Sequence, residues 1–193
     1  MLKNIGTGLM SFAGFKESNS YYVDKTYAIE KIINGGESTL LFTRPRRFGK
    51  TLTQSMLKEF LCLNYEERPD HDERLHKLFD HLQIGADQEF CKKHMGRYPV
   101  IFISFKGIDQ NSFESMHDAL FLLIEDLYLS FLFIKDDKKI SDDYIHRFNK
   151  YLNATEYKND NLIASSLGFL STLLCKVYDQ KVVVLIDEYD VPI

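Results

Sequence analysis

The sequence predicts an α/β fold in which a parallel sheet is flanked by helices. Three short, apolar, β-rich runs, at 38–43, 99–105 and 181–187, are separated by long stretches with helical spacing. The runs are continuous rather than alternating, which is typical of strands that are buried on both faces. Because parallel strands need long crossover connections, this order favours a parallel over an antiparallel sheet.

The other predicted elements follow in chain order. A β-type run at 21–23 precedes a helix that Asp24 caps and that runs to Asn34, where two glycines end it. The strand at 38–43 leads through a loop into an amphipathic helix at 50–63. Further helices are expected at 73–81, 87–93, 113–133, 142–152 and 162–177. Residues 1–20 are weakly patterned and are predicted to be a lead-in to one domain at 21–193.

Composition indicates an ordinary globular protein. Of the 193 residues, 45% are hydrophobic and 27% are charged. The net charge of −4 argues against a broad basic surface for nucleic acid. Three cysteines without a CxxC pair favour free thiols in a reducing compartment. No signal peptide or membrane-length apolar run is recognised, so we expect a cytoplasmic location without a membrane partner.

A phosphate-binding loop is predicted between the strand at 38–43 and the helix at 50–63. A helix N-terminus offers unpaired N–H groups and a partial positive charge, which suit a phosphate. Gly49 allows the backbone to approach closely, the Lys50 ammonium reaches the β- and γ-phosphates, and the Thr51 hydroxyl is a ligand for Mg²⁺. The predicted loop consists of Arg44, Pro45, Arg46, Arg47, Phe48, Gly49, Lys50 and Thr51.

The loop departs from the common GxxxxGK[ST] pattern at its first position. Arg44 stands where a glycine would adopt positive φ without steric cost. Arg46 and Arg47 add cationic side chains, which either compensate beside the phosphates or serve another acidic partner. A Gly-Lys-Thr tripeptide alone is weak support, but a preceding strand and a distant acidic strand end favour a nucleotide site.

An acidic strand end is predicted at Asp187 and Glu188. The apolar run at 182–186 indicates a buried strand, and the carboxylates follow at its C-terminal end, where open α/β sheets bind ligands. The pattern is that of a Walker B motif, in which Asp187 holds Mg²⁺ and Glu188 polarises the attacking water. Such a base is worth ~100–10,000-fold in rate. A solvated strand terminus is the alternative.

Three segments of the chain carry a family resemblance. They are Tyr21-Tyr22-Val23-Asp24-Lys25-Thr26, the segment from Leu41 to Leu52, and the segment from Leu185 to Ile193. Together they resemble the predicted AAA-ATPase-like family of bacteria and archaea. The Arg-Pro-Arg-Arg-Phe-Gly-Lys-Thr loop is a hallmark of that family, so Arg44 agrees with it. The resemblance adds Leu52 to the predicted nucleotide-binding residues.

The resemblance implies a P-loop nucleoside-triphosphatase fold that binds ATP with Mg²⁺. It implies that residues 22–26 lie near the nucleotide, with Val23, Asp24 and Lys25 as adenine- or ribose-side contacts. For Asp24 the alternative is a simple helix N-cap. Members of the family often carry a nuclease-like domain C-terminal to the ATPase domain, so such a domain is an expected partner.

The resemblance also predicts that the domain is incomplete at its C-terminal end. In the implied fold, a strand with a polar sensor residue follows the acidic strand and inserts between it and the phosphate-loop strand. That strand and an arginine finger would follow Ile193. Open strand edges favour association. We therefore expect a fragment of a longer protein, with a homo-oligomer or nucleic acid as further candidate partners.

The leading functional hypothesis is an ATP-binding module with Mg²⁺-dependent ATPase activity in the longer protein. A non-hydrolysing nucleotide switch that regulates a partner or a nucleic-acid-associated domain is the second hypothesis. A small-molecule kinase is the third, and the adjacent Asp187 and Glu188 disfavour it. The choice between ATP and GTP stays open, because no base-specific motif is secure.

Overall fold

The computed structural model describes residues 11–18, 20–43, 48–110 and 112–190, and the chain divides into two compact units, Met1–Val100 and Ile101–Ile193. The described helices of the first unit are α1 (Phe12–Glu17), α2 (Tyr27–Gly35), α3 (Lys50–Leu61), α4 (His71–Phe79), a 3-10 helix (Gln83–Ala86) and α5 (Gln88–His94). From Val100 onward follow β1 (Val100–Ser104), α6 (Phe113–Leu129), a second 3-10 helix (Leu132–Asp136), α7 (Asp142–Leu152), α8 (Ala154–Tyr157), α9 (Asp160–Tyr178) and β2 (Val183–Asp187).

Two of the predicted strands are confirmed and form the sheet. β1 and β2 correspond to the predictions at 99–105 and 181–187, and they pair as a small two-stranded parallel sheet. At its carboxyl edge, the backbone N–H of Phe105 donates to the carbonyl oxygen of Asp187 over 3.0 Å. The end of β1 therefore lies beside the acidic end of β2.

The strand predicted at 38–43 is wrong. These residues have no strand assignment, and the side chain of Leu41 is 67% exposed. The apolar run alone suggested burial, but a strand forms only where its N–H and C=O groups pair with a neighbour. Within the described part of the chain, 38–43 has no such pairing. The β-type run at 21–23 is likewise not a strand.

The core of the first unit is an aromatic cluster on α3. Phe12, Phe60 and Phe79 are fully buried, and the Phe79 ring lies 5.1 Å from each of the other two rings, measured between centroids. The backbone N–H of Phe12 also donates to Ser55 Oγ on α3 over 2.9 Å. The predicted lead-in at 1–20 therefore contains a helix, α1, that contributes to this core.

The C-terminal end of α3 is held by the chain that leads to β1. The backbone N–H of Gly96 donates to the Phe60 carbonyl over 2.7 Å, and that of Tyr98 donates to the Leu61 carbonyl over 2.8 Å. Further along, Tyr65 Oη accepts a hydrogen bond from the Val100 N–H over 2.6 Å. The first two bonds satisfy carbonyl groups that the end of a helix leaves unpaired.

The core of the second unit joins α6, α7 and α9. The buried rings of Tyr128 and Tyr151 stack with 4.5 Å between centroids. The Tyr128 hydroxyl donates to the Ser166 carbonyl over 2.8 Å, and the Tyr151 hydroxyl hydrogen bonds Ser165 Oγ over 2.9 Å. Burial raises the pKa of Tyr128, so the hydroxyl remains a donor.

The helix α9 is long and apolar enough, by length and composition alone, to cross a membrane. A core helix meets the same criteria. In this unit α9 packs on α6 and α7, and it buries Phe169, Leu170, Leu173 and Leu174. These contacts bury one face of α9, and 28% of its apolar window lies inside the unit.

Candidate functional site

The predicted phosphate loop belongs to the first unit. Arg44, Pro45, Arg46 and Arg47 lie outside the described residues. Phe48 is 60% exposed, and Gly49 is the N-cap residue of α3, with φ 78° and ψ 29°. This left-handed conformation suits glycine because a Cβ atom would be strained there. Gly49 thus turns the loop directly into α3.

Among the described residues, no side chain caps the start of α3. The first helical residues are Lys50, Thr51 and Leu52, and the helix closes when Thr53 donates its backbone N–H to the Gly49 carbonyl over 2.9 Å. Within the described part of the chain, the side chains of Lys50 and Thr51 have no hydrogen-bond or ion-pair partner. An uncapped helix start carries donors and a partial positive charge, so this position is suited to an anion.

Tyr22 holds the segment 22–26 against the same helix. Its hydroxyl donates to Met56 Sδ on α3 over 3.2 Å, and its ring packs edge-on to Phe12 with 5.4 Å between centroids. Burial raises the pKa of Tyr22 to about 12, so the phenol stays protonated at neutral pH. The next residue, Val23, is 62% exposed.

Asp24 and Thr26 bind the backbone of the 3-10 helix. Asp24 Oδ1 accepts hydrogen bonds from the Thr26 N–H and hydroxyl over 2.8 and 2.7 Å, and Oδ2 accepts one from the Gln83 N–H over 2.7 Å. Thr26 Oγ1 in turn accepts from the Ile84 N–H over 3.1 Å. The N-cap of α2 is Thr26, so the prediction that Asp24 caps this helix is wrong. Both carboxylate oxygens of Asp24 instead accept hydrogen bonds from protein groups, close to the start of α2.

Lys25 lies beside the described part of the predicted phosphate loop. A Cβ atom built on Gly49 would lie 3.9 Å from Lys25 Nζ. Of the three residues that the resemblance placed on the adenine or ribose side, Val23 is exposed and Asp24 is bound to the 3-10 helix. Their roles toward a nucleotide stay predictions.

The acidic strand end belongs to the second unit. Asp187 is the last residue of β2 and is only 2% exposed. Among the described residues, none forms a hydrogen bond or an ion pair with its carboxylate. A buried carboxylate without a partner is strongly unfavourable. This position therefore favours a cationic ligand.

Glu188 follows in a conformation that is uncommon for its residue type. Its φ is 52°, in the left-handed region, where a residue with a Cβ atom costs about 1–2 kcal/mol. Its side chain is half-buried. Local strain of this kind often occurs at functional sites.

Sequence reasoning assigned no role in the site to Tyr22 and Thr26, which hold the segment around Lys25. In the structure, Tyr22, Asp24 and Thr26 form hydrogen bonds with other parts of the first unit, while the side chain of Val23 is 62% exposed. A period of two is typical of extended chain. Their binding partners could not be predicted, since Ile84 lies 58 residues from Thr26.

A basic loop that enters a helix through glycine, and a parallel strand that ends in a buried aspartate, are typical of α/β proteins that bind nucleotide phosphates. The family model described as Predicted AAA-ATPase matches residues 6–193. The chain therefore belongs to the AAA-ATPase-like family, which implies a P-loop fold. The resemblance carried by the three sequence segments is confirmed.

A more distant relative is known from Azotobacter chroococcum mcd 1, where it is described as an uncharacterized protein in the vnfD 5' region. It is 34% identical to this chain over 106 residues, which are 54% of the chain and 17% of the relative. The chain thus matches less than a fifth of that relative's length. No solved structure matches the chain.

Replacing Thr26 with Val removes the hydroxyl that links Asp24 to the Ile84 N–H. We expect the free energy of unfolding to fall by about 1–3 kcal/mol, because a buried N–H group loses its acceptor. Urea unfolding measures the change. Thr26→Ser keeps the hydroxyl and is the control, so equal losses in both variants would contradict the role given to this hydroxyl.

Proposed function

We propose that the chain is an ATP-binding P-loop module that hydrolyses ATP with Mg²⁺ as part of a longer cytoplasmic protein. The observation that carries this proposal is the start of α3 directly after Gly49, which has a left-handed conformation, with no side-chain cap among the described residues. Family membership supports it, because the family is described as predicted ATPases.

The first unit supplies the phosphate-binding groups of the proposed site. The backbone N–H groups of Lys50, Thr51 and Leu52 are donors for phosphate oxygens at the helix start. The Lys50 ammonium neutralises charge on the β- and γ-phosphates. The rest of the proposed loop is formed by Arg44, Pro45, Arg46, Arg47 and Phe48.

The residues present fit a magnesium ion. Mg²⁺ prefers oxygen ligands and is usually bound by one or two carboxylates together with water and substrate phosphates. The buried Asp187 carboxylate and the Thr51 hydroxyl each supply an oxygen ligand of this kind. When bound, Mg²⁺ neutralises the charge that develops on the phosphates.

Glu188 is the proposed general base. Its carboxylate accepts a proton from the attacking water, while Lys50 stabilises the negative charge on the phosphate being transferred. The left-handed backbone at φ 52° directs Glu188 away from the regular course of β2. This departure from the strand supports a role at its carboxyl end, where α/β sheets bind ligands.

The larger setting of the activity is also a proposal. The match to a relative of much greater length supports a longer protein, with a nuclease-like domain, nucleic acid or a second copy of the chain as candidate partners. The cysteines Cys62, Cys91 and Cys175 are all free thiols, which supports a reducing, cytoplasmic compartment.

Mg²⁺-dependent binding of a fluorescent ATP analogue tests the phosphate loop. We expect saturable binding that Lys50→Ala weakens by about 10-fold or more, because a charge-assisted contact to phosphate is lost. Lys31→Ala, which removes an exposed lysine of α2, is the matched control and should bind as the wild type does. Competition with GTP measures base preference. A folded wild-type chain that does not bind the analogue would contradict the proposal.

Asp187→Asn tests the metal ligand. Without nucleotide and Mg²⁺, we expect the variant to be at least as stable as the wild type, because a buried carboxylate with no partner among the described residues is replaced by a neutral group. With MgATP, the wild type should gain melting temperature and the variant should gain less. Asp190→Asn, at an exposed position in the following turn, is the control. Equal MgATP stabilisation of Asp187→Asn and the wild type would rule out Asp187 as a ligand.

Glu188→Gln separates an ATPase from a non-hydrolysing switch. In an ATPase, we expect phosphate release to fall ~100-fold or more while ATP affinity is kept, because the amide cannot accept the proton of the water. In a non-hydrolysing switch, the wild type releases no phosphate, and Glu188→Gln binds ATP with the same affinity as the wild type. Release of ADP that depends on an added acceptor would instead revive the kinase hypothesis.

A further inference from the structure

Within the proposed nucleotide site, on which this inference rests, we infer that Lys25 binds the phosphates rather than the adenine or the ribose. Its ammonium nitrogen lies 3.9 Å from the position that a Cβ atom on Gly49 would occupy. Gly49 is the residue at which the loop enters α3. Lys25 is therefore next to the proposed phosphate-binding turn, where it is a second lysine beside Lys50.

The backbone on both sides of Lys25 is fixed by the protein. The Tyr22 hydroxyl donates a hydrogen bond to Met56 Sδ of α3, and Asp24 Oδ2 accepts one from the Gln83 N–H of the first 3-10 helix over 2.7 Å. The next residue, Thr26, is fully buried. The position of Lys25 thus results from contacts that its neighbours make, and its own side chain is not needed for them.

Electrostatics favour an anion next to Lys25. The N-terminus of α3 carries a partial positive charge, and Lys50 adds a full one, so a third positive group nearby is repelled. Within the described part of the chain, no carboxylate forms an ion pair with Lys25. A phosphate relieves this repulsion, whereas adenine and ribose carry no charge that does so. Lysine is a common phosphate ligand for the same reason.

Inorganic tripolyphosphate is the probe that isolates this contact, because it has neither base nor ribose. In the presence of Mg²⁺, we expect Lys25→Met to weaken both ATP and tripolyphosphate by about 10-fold or more. Lys25→Arg, which keeps the charge, should restore most of the affinity. Lys31→Met is the matched control, since Lys31 is an exposed residue of α2 and its ammonium lies over the Tyr27 ring.

The outcomes separate this inference from the proposed function. If Lys25→Met weakens ATP but not tripolyphosphate, Lys25 contacts the base or ribose and the inference is wrong, while the nucleotide site stands. If Lys25→Met binds both probes as the wild type does, while Lys50→Ala binds them more weakly, the inference about Lys25 is wrong and the nucleotide site stands. If the wild type binds neither probe, both are wrong. A matching circular dichroism spectrum for Lys25→Met and Lys25→Arg excludes a loss through misfolding.

Discussion

The start of α3 has no side-chain cap within the part of the chain that the structure describes, and the first unit stabilises this helix by other contacts. A cap residue typically contributes about 1 kcal/mol. α3 instead buries Met56, Leu57 and Phe60 along one face, and backbone N–H groups from Gly96 and Tyr98 bind its last carbonyls. Because the face and the far end of the helix are both held, the near end can keep its donors unpaired. The proposed phosphate site depends on this arrangement, since it needs free N–H donors on a helix that does not fray.

In the segment 22–26, hydrogen bonds made by neighbouring residues fix the position of Lys25. Tyr22 forms a hydrogen bond with α3, while Asp24 and Thr26 accept hydrogen bonds from the first 3-10 helix. Every second residue of the segment is therefore held by a hydrogen bond. Each such hydrogen bond contributes only about 0.5–1.5 kcal/mol, but together they fix the backbone direction. Lys25 is therefore placed beside Gly49, and it forms no ion pair with any described residue, which leaves its charge for the proposed phosphate.

The spacing of apolar residues in the sequence predicted the helices better than it predicted the sheet or the contacts within the candidate site. The helix at 142–152 was predicted with the bounds that α7 has, because its apolar spacing is strong within a single element. The apolar run at 38–43 failed, since burial of a strand depends on a partner that local sequence does not specify. α1 was missed because it is only 6 residues long and contains Gly14, a poor helix former, although Ser11 caps it. The start of α3 at Lys50 followed from the loop motif, whereas the contacts of Thr26 involve residues too distant in sequence to be inferred.

Two adjacent residues at the end of β2 are both unfavourable for stability. Asp187 is buried without a partner among the described residues, and Glu188 has a left-handed backbone that costs about 1–2 kcal/mol. An apolar residue followed by glycine would remove both penalties and keep the strand. Neither penalty helps the packing of the second unit, whose core is formed by α6, α7 and α9. Ligand chemistry is a reason to keep them, because a cation neutralises the carboxylate and the turn at Glu188 directs a second carboxylate beyond the end of the strand.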